Sequence, residues 1–103
     1  MVNFSPVAGN EQDGARPALV VSRDELNATG LCMVVPGTRT YKKRPGRVAV
    51  PKGEGGLTDD TYLLCDQLRT VSTLRFFRRI GVADPKYVKQ VLTQVHYFLS
   101  LRS

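Results

Sequence analysis

The chain has no tryptophan, one histidine and only two cysteines in 103 residues. Those shortages remove several chemistries at once. A single histidine, His96, cannot supply two-histidine acid–base catalysis from one chain. Together with Cys32 and Cys65 it gives no zinc-ligand spacing, so no metal or other cofactor is expected. There is no glycine-rich phosphate loop ending in lysine and no Gly-x-Ser-x-Gly elbow. No apolar run approaches the roughly 20 residues of a membrane-spanning helix, and the N-terminus carries no apolar signal segment. Acidic residues are scarce as well: nine Asp and Glu stand against fifteen Lys and Arg, for a net charge of +6. Such an excess points to a polyanionic partner, whether nucleic acid, anionic membrane or acidic protein. Both cysteines lie in apolar, strand-like runs, as expected of reduced core thiols in a cytoplasmic protein.

What is present suffices for one domain spanning 1–103. A chain of this size buries roughly 60–65% of its unfolded surface without metals or disulfides. Residues 1–5 read as the tail of a strand stopped by Pro6. A polar loop follows, Gly9-Asn10-Glu11-Gln12-Asp13-Gly14-Ala15, ending in Arg16-Pro17 at the mouth of an apolar run. Pro17 to Ser22 reads as a strand buried on both faces, and Arg23 to Gly30 as a polar connection. Leu31 to Val35 is a second buried strand, which Pro36-Gly37 is expected to end.

Residues 39–52 hold six basic side chains and no acid. They read as a long hairpin loop leading into a strand at Arg47 to Val50. Pro51 to Asp60 is a loop rich in glycine and acid, in which Asp59 and Asp60 read as solvated loop charges. Strands are expected at Tyr62 to Cys65, at Asp66 to Val71 by alternation, and at residues 75–80. Asp84-Pro85 starts a helix, with Asp84 as N-cap and Pro85 in the first turn. Val88, Val91, Leu92, Val95 and Leu99 recur at helical spacing and predict an apolar face that packs on the sheet or on a partner. Short strands, long loops and one C-terminal helix suggest a small antiparallel sheet or barrel.

The chemistry these residues permit is narrow. RNA carries its own nucleophile, the 2′-hydroxyl, which attacks the adjacent phosphate and leaves a 2′,3′-cyclic phosphate and a 5′-hydroxyl end. A protein that holds the nucleotide in line and neutralises the developing charge can catalyse this with cationic and hydroxyl groups. Arg16 and Thr38 suit that task, each on a loop where a buried strand begins or ends. Spacing alone does not join them.

Four blocks do so by resemblance. They are Phe4-Ser5-Pro6 with Gly9-Asn10-Glu11-Gln12-x-Gly14-x-Arg16-Pro17; Asn27-x-Thr29-Gly30-Leu31 running to Val35-Pro36-Gly37-Thr38; Leu64-Cys65-Asp66-Gln67-Leu68-Arg69-Thr70; and Arg79-Ile80-Gly81 before the terminal helix. In this order they resemble the MazF/PemK family of toxin endoribonucleases over nearly the whole chain. The resemblance implies a small SH3-like antiparallel β-barrel with a C-terminal helix, working as a homodimer. It implies sequence-specific, metal-independent cleavage of single-stranded RNA, chiefly messenger RNA, and inhibition by a cognate MazE-like antitoxin.

Carried over by position, Arg16 and Thr38 match the family's catalytic pair. Arg16 would orient the 2′-hydroxyl and stabilise phosphate charge, since a guanidinium makes a poor free base. Thr38 would hydrogen-bond a phosphate oxygen. Glu11, Gln12 and Gln67 match positions that read or place bases, whose edges a single strand exposes. Arg39, Lys42, Lys43, Arg44 and Arg69 would hold the RNA backbone. The family strand before Phe-x-Pro is longer than Val2-Asn3-Phe4, so a shortened first strand is expected. A non-cleaving alternative also exists on this fold, either a CcdB-like gyrase poison or an RNA-binding module. The Arg16 and Thr38 pair argues against the first of these.

Overall fold

In the computed structural model, residues 2–3, 15–76 and 78–100 are described. The sheet is built around β4 (Leu31–Thr38), eight residues long and buried through its middle. Its two faces serve two clusters. Val35 joins the main core, whereas Cys32 and Val34 join a smaller cluster with Val71, Ala18 and Phe76. Burial on both faces is why this strand reads as one unbroken apolar run.

Three shorter strands flank β4. On one edge lies β3 (Ala18–Val20), pairing Ala18 with Pro36 and Val20 with Val34. The other edge is shared. There β6 (Thr61–Leu64) pairs Gly37 with Leu63 and Thr38 with Tyr62, and β7 (Arg69–Ser72) pairs Val34 with Arg69 and Leu31 with Ser72. β5 (Arg47–Val50) continues the sheet beyond β6. A separate two-stranded ladder joins β1 (Val2–Asn3) to β2 (Ala15–Arg16). The expected mainly-β architecture with a C-terminal helix is what the chain adopts. Among the described residues it is an open sheet rather than a closed barrel.

Several local expectations are corrected. Pro36-Gly37 does not end the strand but lies within it. The Gly37 N–H donates to the Pro17 carbonyl at 2.8 Å, and the Val21 N–H donates to the Met33 carbonyl at 3.0 Å. Odd-numbered residues of β4 therefore face β3, and the N atom of Pro36 faces the opposite edge. At that point β7 has finished and β6 has only begun, so no ladder donor is needed. The same gap explains a second correction. Residues 65–67 form a three-residue 3₁₀ turn, not part of a strand, because the registers on β6 and β7 differ by three residues and the turn takes them up.

The run at 17–22 is not buried on both faces. Val20 is 39% exposed, since β3 lies at the edge of its sheet. The connection after it contains one helical turn, α1 (Asp24–Asn27). Residues 75–80 do not form a strand: Thr73–Arg75 is a 3₁₀ turn, Phe76 makes an isolated bridge, and 78–80 run without regular structure.

The terminal helix α2 (Pro85–Leu99) begins as expected, with the Asp84 carboxylate accepting from the Lys86 N–H at 2.9 Å. Its buried line is Tyr87, Val91 and Val95, packed on Val35, Val48, Val50, Leu63 and Cys65. The predicted stripe is thus rotated. Tyr87 belongs to it, while Leu92 and Leu99 are 43% and 69% exposed. No helix among the described residues is long and apolar enough to cross a membrane. Cys32 and Cys65 are buried free thiols, as expected.

Candidate functional site

Alternation along the strands decides what the face away from α2 carries. On β4, the face that holds Cys32 and Val34 continues to Pro36 and Thr38. Directly opposed residues share a face, so Tyr62 stands beside Thr38, Ala49 beside Tyr62, and Arg69 beside Val34. The Gly37–Pro17 hydrogen bond lies one residue beyond Ala18↔Pro36, and the next residue out, Arg16, lines the same cavities as Thr38. One row therefore crosses the sheet, Thr38, Tyr62, Ala49, and Arg16 comes in beside it from β2.

Two cavities meet along this row, and Arg16, Thr38 and Thr40 line both. The first, of about 650 Å³, is walled by cations. Lys42 and Arg44 reach it from the loop after β4, Arg47 from β5 and Arg69 from β7, with the Gln67 amide between them. Its floor is Pro36 and Leu64. The second, of about 550 Å³, lies toward the loop between β5 and β6 and includes Arg39, Thr58, Asp59 and Arg78.

The local bonding holds these groups in place. The Thr38 hydroxyl accepts from the Thr40 N–H at 3.2 Å, which turns the chain sharply at the strand end. Its own proton is left to donate. Arg47 is only 10% exposed and is ion-paired with Asp66, which fixes its guanidinium at the cavity wall. Arg39 meets Asp59 at 3.5 Å in a solvent-exposed pair that contributes little stability. The loop behind the second cavity is tied at several points. The Lys52 N–H donates to the Asp60 carboxylate at 2.8 Å, and the Asp84 N–H donates to the Glu54 carboxylate at 2.8 Å. Gly56, at φ +81°, lies so close to the Ile80 carbonyl that a Cβ there would collide with it.

The structure thus gathers Arg16, Thr38, Lys42, Arg44, Gln67 and Arg69 around one cavity, and places Arg39 in the next. Lys43 lines neither cavity, and Glu11 and Gln12 lie outside the described residues. Asp59 and Asp60 are exposed, as expected of loop charges. Sequence reading did not single out Arg47 or Thr40. Arg47 was one more cation in a basic stretch, and only its register opposite Leu64 shows that it faces the site. His96 is exposed in the last turn of α2.

A small open sheet with one terminal helix, presenting an arginine and a threonine in a cationic groove, describes a polyanion-binding site. Comparison with known proteins supplies the family. The family described as PemK-like, MazF-like toxin of type II toxin-antitoxin system matches residues 1–99. The chain belongs to that family. Endoribonuclease MazF9 of Mycobacterium tuberculosis is 37% identical over 109 residues, covering 99% of this chain and 92% of the relative. Endoribonuclease MazF of Staphylococcus saprophyticus is 27% identical over 106 residues, covering 100% of this chain and 88% of the relative. A crystal structure of MazF from Deinococcus radiodurans superposes with a TM-score of 0.80 at 30% identity, covering 97% of this chain and 90% of that one. A MazE–MazF structure from the same organism gives a TM-score of 0.77 at 26% identity, covering 98% of this chain and 89% of that one.

Proposed function

We propose that the paired cavities hold single-stranded RNA across Arg16 and Thr38, and that this site cuts it by attack of the RNA's own 2′-hydroxyl. The chain is an endoribonuclease toxin of its family; the chemistry and the roles of individual residues are what we propose. The observation that carries them is that Arg16 and Thr38 line the same two cavities, the first of them walled by cations.

Lys42, Arg44, Arg47 and Arg69 hold the backbone phosphates in the first cavity. The Arg16 guanidinium bonds the scissile phosphate and stabilises the charge that grows on it, orienting the 2′-hydroxyl for in-line attack. The Thr38 hydroxyl donates to a second phosphate oxygen, since its own oxygen already accepts from the Thr40 N–H. The O2′–P bond forms as the P–O5′ bond breaks. The products are a 2′,3′-cyclic phosphate and a 5′-hydroxyl end, with the proton lost from O2′ balanced by one gained at O5′. No metal is assigned to the step. Gln67 donates to and accepts from a base edge in the same cavity. Glu11 and Gln12 are proposed as further base contacts.

A MazE-like antitoxin is proposed to inhibit by laying an acidic segment into the cationic cavity, where it competes with RNA. Homodimerisation is proposed on the same footing, supported by the apolar surface that α2 leaves uncovered around Val88 and Leu92.

The test is incubation of the purified protein with a long single-stranded RNA in excess EDTA, with the fragment ends mapped and their chemistry read. Discrete cuts with 5′-hydroxyl ends, lost in Arg16→Ala and in Thr38→Ala, are expected. Cleavage that needs added divalent metal, or that survives both substitutions, would refute this chemistry.

A further inference from the structure

Tyr41 is a lone aromatic ring inside the basic run Arg39 to Arg44. It is 62% exposed, and its ring centroid lies 5.2 Å from that of Tyr62, with the planes tilted by 55°. The position of Tyr62 is what gives this pair meaning. It is the residue directly opposite Thr38 in the β4–β6 ladder, so its side chain leaves the same face of the sheet. Opposed side chains in such a ladder start about 4.5–5.5 Å apart at Cβ. Beyond Tyr62 the row continues to Ala49, an exposed methyl that leaves the neighbouring surface open.

If the ring pair served only to pin the loop, one face of Tyr41 would suffice, and the rest of an apolar ring would be left in water without gain. The run around it is cationic, with Arg39, Lys42, Lys43 and Arg44 within three residues. Alternating cations with an exposed aromatic ring is how proteins hold a single strand: the cations take the phosphates while a base stacks on the ring. Thr40 and Lys42, on either side of Tyr41, both face the first cavity. Neither tyrosine lines the cavity itself, but Thr38, which does, stands directly opposite Tyr62, so the pair borders it.

We propose that Tyr41 and Tyr62 form a stacking platform for the base of a nucleotide next to the phosphate bound at Arg16 and Thr38. The inference rests on the ribonuclease reading and adds a binding role for residues outside the cationic set. Stacking accepts any base, because every base has a π face. The platform therefore contributes affinity and fixes one nucleotide's orientation, while base choice is left to edge contacts such as Gln67.

The test uses the full chain and a short oligoribonucleotide spanning one mapped cut site, prepared with an abasic residue at each position in turn. Tyr41→Leu is expected to raise KM about tenfold, while Tyr41→Phe behaves as wild type. The kcat of Tyr41→Leu should stay within about twofold of wild type, because the interaction is made equally before and during the chemical step. At one abasic position the difference between wild type and Tyr41→Leu should vanish. A Tyr41→Leu variant indistinguishable from wild type, or a loss that is the same at every abasic position, would overturn the platform and leave the ribonuclease reading intact. If the wild-type protein cuts no RNA, that reading has failed and binding alone decides. A short random-sequence 2′-O-methyl RNA should then bind Tyr41→Leu about tenfold more weakly than Tyr41→Phe. Equal affinities would overturn the platform there too.

Discussion

At the scale of single residues, the division of labour between Arg16 and its neighbours can be measured. Arg16→Ala is expected to slow cleavage by about 10²–10³-fold, the usual cost of removing one preorganised donor to a developing charge. Most RNA affinity should survive, because Lys42, Arg44, Arg47 and Arg69 remain around the cavity. Single-turnover rates and filter binding on the same variant would separate the two. An equal loss of binding and rate would reassign Arg16 to the phosphate-holding set. Cys65 supports a different prediction, about stability. Burial, helped by the Asp66 carboxylate and opposed by Arg47, pushes its thiol from 9.0 up to about 11. Well below pH 9.0 the thiol is neutral in both the folded and the unfolded chain, and its contribution is whole. As the pH rises further the unfolded chain gives up the proton first, so stability falls until the folded thiol also ionises near pH 11. Urea unfolding of wild type and Cys65→Ala across this window should show the wild type losing up to about 3 kcal/mol relative to the variant. Parallel curves would contradict the shift.

At the scale of elements, what matters is how loops without regular structure are held still. The loop between β5 and β6 walls the second cavity. It keeps its place through Glu54 on the Asp84 N–H, Asp60 on the Lys52 N–H, and the close approach of Gly56 to Ile80. Gly56→Ala meets both a left-handed backbone and a collision with a main-chain carbonyl. It is expected to destabilise the protein by about 1–3 kcal/mol in thermal or urea unfolding. A neutral result would mean that the loop moves away freely. The base of the cationic loop is held by a similar device. Gly46 has φ +82°, and a Cβ there would run into the Phe98 ring, so the end of α2 rests on the start of β5. At the other end of α2, Asp84→Ala removes a cap and should cost about 1 kcal/mol.

At the scale of the whole molecule, charge is the dominant variable. Five cations, counting Arg16, face the first cavity. Arg47 is already ion-paired with Asp66; if the other four neutralise phosphates of a single strand, the logarithm of affinity should fall with the logarithm of salt at a slope of about −2.8. The double variant Lys42→Ala with Arg44→Ala should flatten that slope by about 1.4, whatever the RNA sequence. An unchanged slope would show that the strand does not cross this cavity. The proposed homodimer is checked by light scattering on the purified protein, with a molar mass twice that of the chain expected. Leu92→Glu, placed on the uncovered side of α2, should shift it toward monomer if that face is the contact.

Much of this was legible in the residues alone. The excess of cations, the Arg16-Pro17 and Thr38 positions, the buried thiols and the Asp84-Pro85 helix start are local facts: composition, a fixed backbone angle, a cap. They depend on nothing distant, so the chain states them directly. The interior of the sheet was not legible. Whether Pro36 ends a strand depends on where two other strands stop. The 3₁₀ turn at Cys65–Gln67 depends on a three-residue difference between two registers, and the rotation of the α2 stripe onto Tyr87 depends on the surface it meets. Period and propensity cannot report these, because each is set by partners far away in sequence. For the same reason the sequence names Tyr62, Arg47 and Thr38 without relating them. Pairing across β4, β6 and β5 puts them on one face beside Arg16, and only that pairing turns separate polar and aromatic residues into a site.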